Sequence, residues 1–213
     1  MISRILPVDF PNTDERIYAG FWKRFGAFWL DFLITAPFTF GLVYFYWSDR
    51  LNYVYAFIPS HLFFFVYHIY FVKLWGGTPG KLIAKAKIIK KDGNPVGWRE
   101  AILRNAVQWV FNTAMGFALI LTLLNMSDSE YLSVRAVERI RHTLEMAPAW
   151  HQSVNWVNQI WIWSEFIVLL FNKRKRALHD FIAGTVVIKK ELEDAAEQFA
   201  TADRLGRPSA NMP

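Results

Sequence analysis

The sequence predicts an all-α membrane protein: a four-transmembrane-helix bundle with a short cytoplasmic β-strand pair and an amphipathic interfacial helix. Three observations carry that expectation. Four apolar, aromatic-rich stretches reach membrane length, because a hydrocarbon core of about 30 Å takes roughly 20 residues at about 1.5 Å each. Lysine and arginine concentrate in the loops at one end of those stretches, the distribution expected of cytoplasmic loops. The composition agrees, since 54% of the 213 residues are apolar and 17% aromatic while the formal charge is +6. The chain has no cysteine, which excludes disulfides, thiolate metal sites and cysteine nucleophiles.

Taken in order, residues 1–17 read as an N-terminal cytoplasmic arm, irregular around Pro7, Pro11 and Asn12-Thr13-Asp14. No apolar run followed by a small-residue cleavage site precedes Gly20, so the first helix is expected to be its own insertion signal. The membrane domain covers 18–190. Its first span, about 21–47, carries Arg24 near its start and Asp31 as the sole formal charge from Phe25 to Trp47. Seven residues advance a helix by about 700°, so both leave one face about 10.5 Å apart, sharing a side without pairing. An intramembrane carboxylate costs about 2.5–3.5 kcal/mol on insertion scales, which makes Asp31 a functional candidate. Pro37 frees the carbonyl of Leu33 and predicts a kink beyond it.

The second span, about 51–75, holds His61 and His68 seven apart, hence on one face, to be read either as hydrogen-bonded core histidines or as a proton relay. Gly76-Gly77-Thr78-Pro79-Gly80-Lys81 superficially resembles a phosphate loop. The glycine spacing is one residue short, and Leu82 stands where a magnesium-binding hydroxyl belongs, so nucleotide binding is rejected. Alternation from Leu82 to Ile89 predicts a strand ending at the Asp92-Gly93 turn, and Thr185-Val186-Val187-Ile188 is its expected partner. The third span, about 100–125, opens with Arg104, Asn105 and Gln108. Ser127-Asp128-Ser129-Glu130 fits a capping box and starts an amphipathic interfacial helix over about 128–147, which Pro148 ends. The fourth span, about 155–171, contains Glu165 and an aromatic belt of Trp156, Trp161 and Trp163. Lys173 to Arg176 then leads to His179-Asp180, and 191–213 reads as a polar tail, helical to Arg204 and disordered from Gly206.

The Gly76 to Arg99 loop and the Lys173 to Arg176 run are the most basic, which places both termini in the cytoplasm and the chain in the cell membrane as a multi-pass protein. Arg24, Arg104, Asn105, Glu165, His179 and Asp180 then converge near the inner interface, with Asp180 the expected partner of Arg24. Burying charges together costs far less than burying them singly, so such a network can simply fix helix register. It can equally be an ion or proton site, with Asp31 changing protonation while Arg24 stabilises its charge. The basic residues flank spans rather than forming one soluble face, so the bilayer and its anionic headgroups explain the charge better than nucleic acid does.

Tyr18-Ala19-Gly20-Phe21-Trp22-Lys23-Arg24-Phe25-Gly26-Ala27 followed by Asp31 resembles the opening of an RDD family membrane protein, named for one arginine and two aspartates. The resemblance continues through Gly76 to Lys81, Asp92-Gly93, Leu103-Arg104-Asn105 and Ala177 to Thr185. By position it implies that Arg24 is the arginine and that Asp31 and Asp180 are the aspartates. It also implies an integral membrane protein for which sodium/proton exchange is proposed in some members. The leading expectation is therefore a small ion or proton exchanger using Asp31, with Arg24 and Asp180 as modulators, without cofactor, metal centre or catalytic residues, and with four spans few enough that a homo-oligomer is expected. The alternative is a noncatalytic scaffold or assembly partner of another membrane complex, for which the basic surface and the amphipathic helix offer docking area.

Overall fold

A computed structural model describes residues 5–7 and 17–205; the rest of the expected arm and the expected disordered tail, 206–213, lie outside the described residues. The elements run α1 (Phe21–Ser48), α2 (Asn52–Phe65), a π-helical turn (Val66–Tyr70), α3 (Phe71–Trp75), α4 (Pro79–Ile83), β1 (Ala86–Lys90), α5 (Trp98–Asn125), α6 (Asp128–Ser133), α7 (Ala136–Glu145), α8 (Ala149–Phe171), α9 (Leu178–Ala183), β2 (Thr185–Lys189) and, after a 3-10 turn, α10 (Glu193–Arg204). Four stretches, Phe21–Tyr46, Asn52–Trp75, Trp98–Asn125 and Ala149–Phe171, are helical, long and apolar enough to cross a membrane. The all-α membrane fold with a small two-strand sheet is therefore as the sequence predicts.

The chain forms two compact units. The first comprises 1–34, 66–105 and 164–213, and the second 35–65 and 106–163. The first unit is built on the antiparallel β1–β2 pair, centred where Ile88 faces Val187. Leu6, Ile17, Tyr18, Ile89, Val186, Ile188, Ala196 and Phe199 form its buried core, so α10, expected as part of a polar tail, packs Ala196, Phe199 and Ala200 inward. Small residues at helical spacing carry that face, which is why hydropathy alone undersells it.

This unit contains an internal repeat. Pro79 of α4 corresponds to Leu178 of α9, the left-handed Lys85 (φ 53°) to the left-handed Gly184 (φ 69°), and Ala86 of β1 to Thr185 of β2. The flanking bridges correspond too, since Pro95 adds to Ile89 beside β1 and Tyr18 adds to Ile188 beside β2. Each half is thus a span, a single short helix, a left-handed corner and a strand, and the two strands pair about a local two-fold.

The second unit shows how polar side chains are satisfied inside apolar helices. Tyr46 and Ser60 share a 3.1 Å hydroxyl pair, and the Tyr131 hydroxyl donates to the Tyr46 carbonyl at 2.7 Å. Gln108 on α5 donates to Asn112 at 3.0 Å and to the buried Asn158 on α8 at 3.3 Å. Arg50 donates to Asp128 at 2.6 Å and to the Leu123 carbonyl. Helices α2 and α5 meet at Gly116, where an added Cβ would lie 2.6 Å from the Phe57 ring.

Four expected boundaries change, each for a local reason. The amphipathic helix expected over 128–147 is two helices: Ser127 caps α6 by accepting from the Glu130 N–H at 3.2 Å, but Ser133 then donates to the Glu130 carbonyl. A continuing helix would reserve that carbonyl for the Val134 N–H, and Val134 is extended instead. The strand expected from Leu82 begins only at Ala86, because Pro79 pre-sets a helical first turn and the chain reverses at Lys85. The fourth span begins at Ala149, its first turns being polar and hence invisible to hydropathy. The second span is interrupted by the π-helical turn, which breaks the 3.6-residue period on which a shared face for His61 and His68 depends.

Candidate functional site

Arg24 and Asp31 stand on one face of α1, and each meets the third residue of a different short helix. Asp180 is third in α9 and Lys81 is third in α4, so the internal repeat carries opposite charges at equivalent positions. Arg24 Nη1 donates to Asp180 Oδ2 at 2.8 Å, while Asp31 Oδ2 lies 3.5 Å from Lys81 Nζ. The seven-residue spacing that keeps Arg24 and Asp31 apart is thus the spacing that serves two helices at once.

Asp180 is fully enclosed, with 0% exposure. One oxygen accepts from Arg24 and from the Ala177 N–H at 3.1 Å; the other accepts from Arg104 Nη1 and from Thr185 Oγ1 at 3.1 Å. Arg104 also donates to Thr185 Oγ1 at 2.9 Å, and Arg24 donates to the carbonyls of Ala19 and Lys175. Arg176 closes the group, donating to the carbonyls of Asp180 and Thr185 while its guanidinium lies 4.0 Å from the Phe181 ring centroid. Burial would raise the Asp180 carboxyl, but Arg104 and Arg24 hold it well below the usual carboxylate range. This is a satisfied buried ion-pair knot. It fixes α1, α5, α9 and β2 relative to one another, and its carboxylate has no tendency to protonate.

Glu165 on α8 caps α9, accepting from the His179 N–H at 3.0 Å with one oxygen; its other oxygen lies 2.6 Å from His179 Nδ1. Burial and the nearby Arg104 lower the His179 pKa against the pull of Asp180 and Glu165. That balance favours the neutral ring, with Nδ1 beside Glu165 Oε2. Asn105 donates to the His68 carbonyl at 3.0 Å and to Ala101, so it ties α5 to the π-helical turn through backbone. In the second unit, His61 Nδ1 donates to the Phe57 carbonyl at 2.9 Å, and its Nε2 lies 3.1 Å from Thr113 Oγ1.

Asp31, 8% exposed, sits in a cradle that the sequence reading did not assemble. Oδ1 accepts from the Tyr67 hydroxyl at 2.7 Å and from the Gly80 N–H at 2.8 Å, and Oδ2 accepts from Thr78 Oγ1 at 2.6 Å. Lys81 Nζ also donates to Thr78 Oγ1 at 3.2 Å. One expectation is corrected. The cation beside Asp31 is Lys81 rather than Arg24, because Arg24 is committed to Asp180, Ala19 and Lys175. The donors around Asp31 come from the π-helical turn and the Gly76 to Lys81 loop, and Pro37 stands inside α1.

The missed signal was the glycine loop itself. It lacks a nucleotide-binding pattern, yet its hydroxyl, backbone N–H and ammonium are anion ligands, and the anion they hold is an internal carboxylate. Gly80 is obligatory there, since a Cβ would lie 2.5 Å from both the Asp31 nitrogen and Oδ1 and 2.7 Å from the Ala27 carbonyl. Tyr67 reaches Asp31 from a turn whose widened π geometry no periodicity argument anticipates. Burial lowers the Lys81 pKa, opposed by the attraction of Asp31.

Among the described residues no group of three or more His, Cys, Asp or Glu side chains is placed to hold a metal ion. Searches of curated proteins and of solved structures gave no match. The family model for the RDD family matches residues 18–184 of the 213. That match covers Arg24, Asp31 and Asp180, both short helices and all four spans, and the chain belongs to the RDD family of membrane proteins.

Proposed function

We propose that this protein is a non-enzymatic exchanger of the cell membrane, which passes a monovalent cation or proton through the Asp31 site, with both termini on the cytoplasmic side. The observation that carries the reading is the unequal grip on Asp31. The neutral donors Tyr67, Thr78 and Gly80 lie at 2.6–2.8 Å, whereas the ammonium of Lys81 is at 3.5 Å on a flexible stem that is a quarter exposed. An incoming cation can take the place of that ammonium with the net charge of the site unchanged. Lysine suits such a role because its compact charge rides on four rotatable methylenes, unlike the forked arginines that lock Asp180. The orientation follows from the basic residues at the ends shared by α3, α4, α8 and α9, where anionic headgroups are the expected neighbours.

Lys81 then acts as a built-in competitor. In detergent, a monovalent cation should raise the thermal unfolding midpoint saturably, because ligand that binds only the folded state stabilises it. Lys81→Gln should give tighter apparent cation binding than wild type, and Asp31→Asn should abolish the shift. Equal or weaker binding in Lys81→Gln would remove the competitor role.

One observation favours the second reading, a noncatalytic assembly partner: α7 leaves Ile140 and Leu144 exposed along one side. If purification in mild detergent recovers no stoichiometric membrane partner, that reading fails.

A further inference from the structure

The outward face of α8 carries a polar residue where lipid should be. Gln159 is exposed, and it lies within one residue of the midpoint of the Ala149–Phe171 span. Its carboxamide makes no hydrogen bond with any other described residue. This contrasts with Asn158 beside it, which is buried against Gln108. In hydrocarbon no water can satisfy an unpaired carboxamide, so leaving it bare costs free energy that a second polar group would recover.

The neighbours of Gln159 specify what covers it. Gln152, Trp156, Gln159 and Trp163 follow one another at spacings of four, three and four residues, all exposed, with Trp156 at 62% and Trp163 at 66%. That is the spacing of a helix–helix seam, with the two glutamines at the same position of successive heptads. A carboxamide both donates and accepts, so it is complementary to itself. A two-fold axis along the membrane normal sets each residue of such a seam against its own copy, and both copies keep the same orientation in the bilayer.

We infer that the protein forms a parallel homodimer through this face of α8, with Gln159 of each copy exchanging hydrogen bonds with Gln159 of the other at mid-membrane. Gln152 pairs in the same way near the end of the span, and the tryptophans pack between the two amide layers. The inference stands independently of the exchanger reading, because it uses no residue of the Asp31 cradle.

The test is single-molecule photobleaching of labelled full-length protein in phosphatidylcholine/phosphatidylglycerol liposomes over a dilution series. Wild type should show two-step bleaching that gives way to one-step bleaching on dilution. Gln159→Leu, which suits a lipid-facing position better than glutamine, should shift the half-dimer density upward by roughly three- to thirty-fold, the range for one interhelical amide contact. The absence of native cysteine permits a second arm under mild oxidation. Gln159→Cys should form a disulfide-linked dimer, and Val110→Cys, exposed on α5, should remain monomeric on the gel. One-step bleaching at every density, an unchanged or tighter dimer in Gln159→Leu, or equal cross-linking from both cysteine positions would each overturn the inference.

Discussion

Asp180 and Asp31 are both buried carboxylates, yet their surroundings give them opposite properties. Two arginines, a hydroxyl and a backbone N–H make Asp180 a permanent anion, so Asp180→Asn should cost about 3–5 kcal/mol by leaving buried guanidinium charge uncompensated, read as a fall in the unfolding midpoint. The sign of its pH dependence follows from its lowered pKa: its stabilisation is present above the unfolded value of 3.8 and lost only as pH falls towards the folded value below that. His179 acts in a higher window. Its folded pKa lies below 6.5, so the unfolded chain binds a proton first, and stability declines as pH drops from about 6.5. Stability measured between pH 7 and 5 should therefore fall in wild type and fall less in His179→Gln. The Arg24–Asp180 contact was legible from seven-residue spacing plus topology; the Lys81–Asp31 contact was not, because the glycine loop was weighed against nucleotides alone. Gly80→Ala tests the cradle directly and should lower stability by about 2 kcal/mol or more, since the Asp31 backbone and Ala27 carbonyl cannot yield as a side chain would.

At the scale of elements, the sequence showed spans best and corners worst. Hydropathy over roughly 20 residues finds a span even when its ends drift, as the start of α8 did, because the bilayer thickness sets its length. Short helices escape such averaging. Both α4 and α9 depend on a single left-handed residue that turns the chain into a strand, glycine at 184 and lysine at 85. A side chain in that conformation costs about 1 kcal/mol relative to glycine. Lys85→Gly should accordingly stabilise the protein by about 1 kcal/mol, since the 3.9 Å contact with Glu191 that it gives up is exposed and contributes little. Gly184→Ala should destabilise by a similar amount, and chemical unfolding of the two variants in parallel measures the difference.

For the molecule as a whole, the repeat explains why a family signature is scattered over so long a stretch. Arg24 and Asp31 lie on the first helix, whereas Asp180 and Lys81 lie on short helices far along the chain, and the β1–β2 pair brings those short helices within reach of α1. The strand pairing was foreseen from two β-branched runs; the equivalence of the halves was not, because the repeat is short and its charged residues at 81 and 180 differ in sign, although Ile83-Ala84 and Ile89-Lys90-Lys91 recur as Ile182-Ala183 and Ile188-Lys189-Lys190. One half is locked by arginine and the other is closed by a lysine that can leave. On the proposed exchanger reading that asymmetry makes Asp31 the point of ion entry, and the direct test is flux. Full-length protein in proteoliposomes under an imposed sodium or proton gradient should carry the coupled ion. Asp31→Asn, shown to be folded by its unfolding midpoint, should reduce that flux to the level of protein-free liposomes. Flux in Asp31→Asn equal to wild type, or no flux from wild type under either gradient, would contradict the account.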